Sequence, residues 1–573
     1  MKIYNAEIAG LFTKLADLLE IEGANPFRVR AYRTAALMID NLSPNLADMV
    51  EQGADLTELP SIGEDLARKI KTIVKTGKLP DLKRIEKRVP AVLSQLLGIQ
   101  GLGPKRVKTL YKQLKIRNVD DLKRAITSGK LQSIKGFGAK IAHTILNSIQ
   151  HVKEYHQRHK LIDAMQVATP LLVYLRKAPH ISKVEIAGSY RRHRETVADL
   201  DVLAIARNGK AIIDHFIHYG EVIEIVSQGT TRATVRLHSG IQVDLRVVPA
   251  ASYGSALLYL TGSKSHNISL RKIALEKKLK INEYGLFRGK TSIAGKSEAE
   301  MYKQIGLRYI EPELREDRGE IELAKKNKLP HLITIEDIRG DLHCHTHLTD
   351  GNASLEVMAK AGAARGYEYL AITDHSQHLT VASGLTKQQL QKQIKAIDKL
   401  NERLNNITLF KSIELDILED GQLDLPDSVL KLLDLTVCSI HSHFGLSRAK
   451  QTARLLRAMD NPYFNILAHP TGRLIGRRES YDFDIEKVML AAKERNCILE
   501  LNAQPERLDL NDIYCKMAKE INIKIAISTD AHSVNNFDYM QFGIYQARRG
   551  WLQASDVINT RKLSEFKRLL KRT

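Results

Sequence analysis

The chain has 573 residues, room for several domains at roughly 100–200 residues each, and its 43% apolar content excludes a disordered protein. No run approaches the roughly 18 apolar residues of a membrane helix. Four cysteines make no disulfide framework, so a reducing cytoplasm is expected. The net charge of +21 divides unevenly, +10 on residues 1–150, +10 on 151–335 and only +1 on 336–573, which points to a polyanionic partner for the first 335 residues.

The start, MKIYNAEIAGLFTKLADLLE, is amphipathic with interspersed acids and unlike a signal peptide. Three later segments repeat one pattern: LPSIGEDLARKI (59–70), IQGLGPKRVKTL (99–110) and IKGFGAKIAHTI (134–145). Each reads as a glycine turn running straight into a helix. Such a turn bares backbone N–H groups at the positive end of the helix dipole, where a phosphate fits. Gly63, Gly101, Gly103, Gly136 and Gly138 occupy the turns, and Lys105, Arg106, Lys108 and Lys140 follow them. The set resembles tandem helix-hairpin-helix modules, which hold DNA by its backbone without reading sequence. Glycine-capped hairpins that only pack on each other are the competing reading; three copies in a +10 region favour DNA.

The middle of the chain carries carboxylates. In VEIAGSYRRHRETVADLDVLAIA (184–206), Asp199 and Asp201 are two apart in a strand-like run, so both face one side of a sheet. A hairpin follows, RATVRL–HSG–IQVDLRVV, with Asp244 in its second strand. Three converging carboxylates repel unless cations sit among them, as in a two-magnesium site for phosphoryl transfer. Gly188-Ser189 and Arg191-Arg192 supply a tight turn, a hydroxyl and two guanidinium forks for a triphosphate.

The run GSYRR-x₆-DLD, the later Asp244 and YLTGSKSHN (259–267) together resemble the family X DNA polymerases, from about residue 1 to 315. The resemblance implies Asp199, Asp201 and Asp244 as ligands for Mg²⁺ or Mn²⁺, with Asp244 also receiving the primer 3′-hydroxyl proton. It implies Ser189 and Arg192 on the β- and γ-phosphates, and Tyr259 and Gly262 along the incoming sugar. Lys264 also falls in the nucleotide site, and Asn267 and Arg271 fall beside the nascent base pair and template. Ala198 stands where the family has a glycine, Leu260 replaces an aromatic, and Lys264 stands where the animal members carry an acid. NPFRVRAYRTAA (25–36) resembles the family's small 5′-phosphate-binding domain, which implies that Arg28, Tyr32 and Arg33 meet a DNA 5′-phosphate. Lys69 matches the Schiff-base lysine of members with 5′-deoxyribose-phosphate lyase activity, although Asp65 replaces a basic neighbour.

A charged, Pro-interrupted stretch (311–335) reads as a linker or docking segment. Beyond it, histidines and acids recur at the ends of short apolar strands: His343 and His345 in DLHCHTHLTDG with Asp350, His375 in LAITDH, Glu414 in SIEL, His441 in VCSIHSHF, His469 in ILAHP, and Asp530 and His532 in AISTDAH. Strand-end placement on a βα pattern is where barrel enzymes carry chemistry. The set resembles the PHP (polymerase and histidinol phosphatase) domain over 339–573, a distorted seven-stranded βα barrel. The resemblance implies two to three Mn²⁺, Zn²⁺ or Fe ions: His343 and His345 on the first, Glu414 bridging to a second with His441 and His469, and Asp350, His375 and His532 on the third with Asp530 shared. His347 and His443 align with neither role firmly.

The expected architecture is multidomain: a lyase-like helical domain (1–90), a helix-hairpin-helix domain (91–150), an α+β nucleotidyltransferase palm (151–255), a nucleotide-selecting thumb (256–315), a linker (316–335) and a PHP barrel (336–573). The expected function is a cytoplasmic, nucleoid-associated, monomeric repair polymerase. It fills short gaps in gapped or nicked DNA bearing a 5′-phosphate, uses dNTPs, needs no membrane, and has a 3′-5′ exonuclease that also suits abasic sites. A DNA-end-binding scaffold with a weak palm is the second reading, and a small-molecule phosphatase the third.

Overall fold

The computed structural model describes all residues except 1–4, 41–45, 60–61, 91–92, 94–95, 98–101, 135–136, 139–140, 143–144, 146–157, 477 and 571–573. The chain forms two compact units, Met1–Arg158 and His159–Thr573.

The first unit is helical: α1 (Asn5–Glu22), α2 (Pro26–Asp40), α3 (Leu46–Glu51), α4 (Glu64–Thr76), α5 (Pro80–Glu86), α6 (Pro104–Leu114) and α7 (Val119–Thr127). One apolar core, including Phe12, Ile70, Leu110 and Phe137, runs through it from end to end, so residues 1–90 and 91–150 share an interior. The hairpin glycines start helices: Gly63 caps α4 and Gly103 caps α6, neither with a side-chain cap, and Pro104, which has no N–H, opens α6.

The second unit opens with α8 (Leu161–Leu175) and a five-stranded sheet: β1 (Ile181–Ile186), β2 (Asp199–Ala206), β3 (Val222–Gln228), β4 (Arg232–Leu237) and β5 (Gln242–Val248), with α9 (Gly209–Ile217) between β2 and β3. The strand order is β1-β2-β5-β4-β3. Only β2 and β5 are parallel, and their register sets Asp201 opposite Asp244 and Asp199 opposite Gln242. Apolar side chains of β2, β4 and β5 alternate onto α8 and α9, which leaves the acids on the other face. Helices α10 (Tyr253–Thr261) and α11 (Lys264–Glu276) and a small antiparallel sheet (280–294) complete the thumb.

Residues 316–335 are not a free linker. Leu314, Ile321, Ala324 and Leu332 sit in the thumb core beside Trp551. Arg315 and Glu320 are fully buried; Arg315 pairs with Glu298, and Glu320 accepts from the buried His266 at 2.6 Å and from the amides of Asp317 and Arg318. The charges that make the stretch look solvated in sequence are satisfied internally instead.

The remainder is a ring of short parallel strands: β6 (Gly340–Cys344), β7 (Tyr369–Ile372), β8 (Thr408–Lys411), β9 (Glu414–Asp416), β10 (Val437–Ser439), β11 (Ile466–Leu467), β12 (Ile498–Asn502) and β13 (Ile525–Ser528). Only two residues separate β8 from β9, so the pair acts as one bent strand and the ring has seven positions. Bridges His375–Glu414 and Cys344–Ala531 join its two sheets. Tyr369, Phe410, Val437, Ile466 and Ile498 fill one inner cluster, while their chain neighbours pack outward on the helices. All four cysteines are buried, and none forms a disulfide.

Candidate active sites

The palm presents Asp199, Asp201 and Asp244 on one sheet face. Asp244 is held from three sides: Thr234 Oγ1 donates at 2.5 Å, Gln242 Nε2 at 2.9 Å and Arg232 at 3.2 Å. Burial, then the charges of Asp199 and Asp244, push the Asp201 carboxyl up to about 7. A divalent cation relieves that repulsion, so the donor set fits a metal pair bound through oxygen.

The turn after β1 packs directly on this cluster. Ala187 N donates to Asp201 O at 2.7 Å. Gly188 has φ +63°, and a Cβ there would stand 2.4 Å from Asp201 Oδ2. Ser189 lies in the single helical turn that follows. The two arginines divide. Arg191 is drawn into the thumb, bidentate to Glu298 at 2.9 and 2.8 Å and bonded to Thr261, so the expected second fork for a triphosphate is a structural tie. Arg192 lies beside Asp201 and Gly262, with Nε on Glu316 at 3.0 Å and Nη1 on the Thr261 carbonyl. Tyr259, Asn267 and Arg271 form one group: Asn267 donates to Tyr259 O at 2.8 Å, and the Arg271 guanidinium lies 5.4 Å from the Tyr259 ring. Lys264 and Ala198 are exposed.

The barrel gathers its expected ligands at one strand-end mouth. Glu414, 2% exposed, is central: one oxygen lies 2.9 Å from His375, 3.4 Å from His343 and 3.6 Å from His345, and the other 3.2 Å from His441 and 3.0 Å from His469. Three overlapping groups can each hold an ion: His343, His345 and Asp530; His375, Glu414 and His441; and His345, Asp350, His375 and His532. His469 touches Glu414 without joining a group among the described residues. His347 and His443 face outward, against the Ala353 carbonyl and Glu419. Burial opposes protonation of His375 and His441, yet Glu414 together with Asp350 at His375 and Asp416 at His441 outweighs it and lifts them to about 10 and about 9. Buried ring nitrogens of His343, His345 and His375 also lack hydrogen-bond partners. Unbonded nitrogens aimed among carboxylates fit divalent metals.

In the first unit, Arg28, Tyr32 and Lys69 come together, with the Arg28 and Lys69 cations 5.9 and 5.6 Å from the Tyr32 ring. Arg33 is turned to Asp17 and Glu20 instead. Burial would lower the Lys69 ammonium, but Asp65, Tyr32 and Asp81 outweigh it and raise it, the opposite of what a Schiff-base amine needs. Lys108 is spent on the Glu22 carbonyl, whereas Lys105 is exposed. At Gly63, Gly103 and Gly138 the backbone is not left-handed and a Cβ would meet nothing within 4 Å. The fold does not demand glycine there; a closely approaching partner would. Gly101, Gly136 and Lys140 lie outside the described residues.

Family models match in chain order: a helix-hairpin-helix domain at 3–79, a SAM-like helix-hairpin-helix tandem at 93–150, the DNA polymerase beta thumb at 256–316 and the PHP domain at 341–504. The DNA polymerase/3′-5′ exonuclease PolX of Bacillus subtilis (strain 168) is 37% identical over 574 residues, covering 100% of both chains. The chain belongs to the family X DNA polymerases that carry a PHP domain. A probable phosphatase of Thermoanaerobacter sp. (strain X514) is 31% identical over 214 residues, 35% of this chain and 81% of its own. One of Caldanaerobacter subterraneus subsp. tengcongensis is 30% identical over 213 residues, 35% of this chain and 79% of its own. This family X chain thus joins a nucleotidyltransferase to a metal-dependent hydrolase, with DNA and dNTPs as substrates.

Two acids that support the PHP centre, Glu500 and Asp416, escape motif reading, while a third, Asp374, stands beside His375 in LAITDH. Glu500 accepts from His343 Nδ1 at 2.7 Å, Asp416 faces His441 Nδ1 at 3.1 Å, and Asp374 fixes the loop after His345 through Thr346 and Thr349. Glu500 and Asp416 each orient a ligand through its far side. Their one sequence signal is an acid inside an apolar strand or at its end, as in ILELN and SIELD.

Proposed function

We propose that the chain fills short DNA gaps from the palm and trims 3′ ends from the PHP centre. The observation that carries the polymerase half is the parallel register placing Asp201 beside Asp244, backed by Gly188. Mg²⁺ or Mn²⁺, when bound, would neutralise the triphosphate and the carboxylates. The primer 3′-oxygen bonds to the dNTP α-phosphorus, the bond to the pyrophosphate oxygen breaks, and Asp244 accepts the hydroxyl proton. Ser189 and Arg192 hold the β- and γ-phosphates, and Tyr259 and Gly262 line the sugar. Asn267 and Arg271 hold the base pair and template.

In the barrel, two to three Mn²⁺, Zn²⁺ or Fe ions on His343, His345, Asp350, His375, Glu414, His441, His469, Asp530 and His532 would polarise a phosphodiester and activate water. The hairpin glycines with Lys105 grip the duplex, and Arg28 with Tyr32 receives the 5′-phosphate of a gap. Lys69 serves there as a protonated phosphate contact rather than a lyase nucleophile. The protein acts as a cytoplasmic monomer; no described helix is long and apolar enough to cross a membrane.

One time course on a 5′-phosphorylated one-nucleotide gap, with and without dNTPs, tests both halves. Asp244→Ala should lose gap filling and keep 3′-end degradation, and His343→Ala should do the reverse. Extension by Asp244→Ala at the parental rate would remove the palm assignment. Degradation retained by His343→Ala would remove the other.

A further inference from the structure

The palm turn that carries Ser189 and Arg192 is not supported by the palm alone. Along its outer side it is gripped by side chains of the PHP part of the same compact unit, chiefly from α12 (Met540–Arg549). Arg549 is 3% exposed and its Nη1 makes two bonds, to the Arg192 carbonyl at 2.9 Å and to Glu316 Oε1 at 3.0 Å. That same Glu316 oxygen holds Arg192 Nε at 3.0 Å. Arg549 therefore fixes both the backbone and, through one shared carboxylate, the guanidinium of Arg192. Its other nitrogen is anchored by Asp512 at 2.8 Å, which also takes Arg318 at 2.9 Å.

The neighbouring residues of the turn are held from the same side. The His193 ring stacks on Tyr545 at 3.6 Å and 8°. Glu313 lies between His193 at 3.3 Å and Arg548 at 2.7 Å. Arg473 closes on Glu195 at 2.6 Å. Three PHP side chains thus hold Arg192, His193 and Glu195 directly, Arg548 reaches the turn through Glu313, and none of the four belongs to the metal groups.

We infer that the PHP domain is a structural part of the polymerase site, and that Arg549 is a positioning residue that presets Arg192 for the triphosphate. This rests on the reading that Arg192 meets the β- and γ-phosphates. A guanidinium fixed before binding loses little freedom when the ligand arrives, so releasing it weakens ground-state binding of the nucleotide more than the chemical step. The buried pair Glu316–Arg549 suits this role, because it defines one geometry and cannot be replaced by water.

The test uses the full chain on a one-nucleotide gap. Arg549→Met should raise the dNTP KM by about tenfold while kcat stays within about threefold, with 3′-end degradation unchanged. Arg549→Lys should recover part of the KM, since an ammonium can still bond Glu316. A purely structural loss would lower the active fraction, and so kcat, without moving KM. Arg192→Ala is measured beside them. If it raises KM and Arg549→Met does not, the positioning role is overturned while the Arg192 reading stands. If Arg192→Ala leaves KM unchanged, the Arg192 reading falls and takes the positioning role with it. Should Arg549→Met not fold, Tyr545→Leu probes the same grip from the His193 side: a KM rise of roughly threefold supports it, and an unchanged KM overturns it.

Discussion

The two active sites of this chain solve one problem in opposite ways. The palm sets three half-buried carboxylates on one sheet face, all oxygen ligands, with Asp244 held by ordinary polar neighbours. The barrel buries imidazoles and carboxylates together, with Glu414 touching five histidines from 2% exposure. Oxygen-only sites suit Mg²⁺, which keeps much of its water and leaves with the product. Nitrogen-containing, closed sites suit ions that bind tightly and stay. On the proposed ligand sets, the palm would exchange its metal with each nucleotide, whereas the barrel would keep resident ions.

If so, the barrel should fail at its hub and the palm at its floor. The largest effect is expected for Glu414→Gln, which removes the charge shared by five histidines: 3′-end degradation should fall by at least ~10³-fold, with bound metal lost by elemental analysis and gap filling retained. Degradation within tenfold of the parent would mean that Glu414 is not the bridge. Next comes Gly188→Ala. The residue is left-handed and its Cβ would displace the Asp201 carboxylate, so gap filling should drop by about 10²-fold while degradation is untouched. Normal synthesis by that variant would show that Asp201 does not need its present position.

How much of this was legible in the sequence follows from how local each feature is. The hairpins, the Asp-x-Asp strand and the strand-end histidines are written within a few residues of one another, and the structure brings Asp199, Asp201 and Asp244 together on one side and His343, His345, His375, His441 and His532 on the other. The misread parts depend on partners far along the chain. Arg191 reads as a phosphate fork until Glu298 is placed beside it, 107 residues on. Lys108 reads as a DNA contact until the Glu22 carbonyl claims it. The stretch 316–335 reads as a linker because its buried partners, His266 and Arg549, cannot be seen from composition. Glu500 is hidden for the same reason, 157 residues from His343.

Glu500 also sharpens the contrast between the sites. It accepts from the far nitrogen of His343, from the His469 amide and from Asn502, and the first of these contacts would fix which His343 nitrogen faces a metal. Glu500→Gln should weaken metal retention and degradation by roughly 10–100-fold. Metal titration of the stripped protein checks it, and parental affinity would reduce Glu500 to a packing group.

The palm counterpart is Thr234→Val, and here the loss should be the smallest. Thr234 sits directly opposite Asp244 in the β4–β5 register and donates its hydroxyl to it at 2.5 Å. Valine keeps the shape and deletes that one bond. Gln242 and Arg232 still hold Asp244 from its other sides, and its partly exposed carboxylate lets water replace the donor. A charged hydrogen bond with such replacement is worth about 1 kcal/mol, so gap filling should fall by about fivefold. Losing the carboxylate charge at Glu500 thus costs much more than losing the hydroxyl at Thr234, because water reaches the Asp244 carboxylate but not the fully buried Glu500–His343 contact. Equal losses in the two variants would show that burial is not what separates the two metal sites.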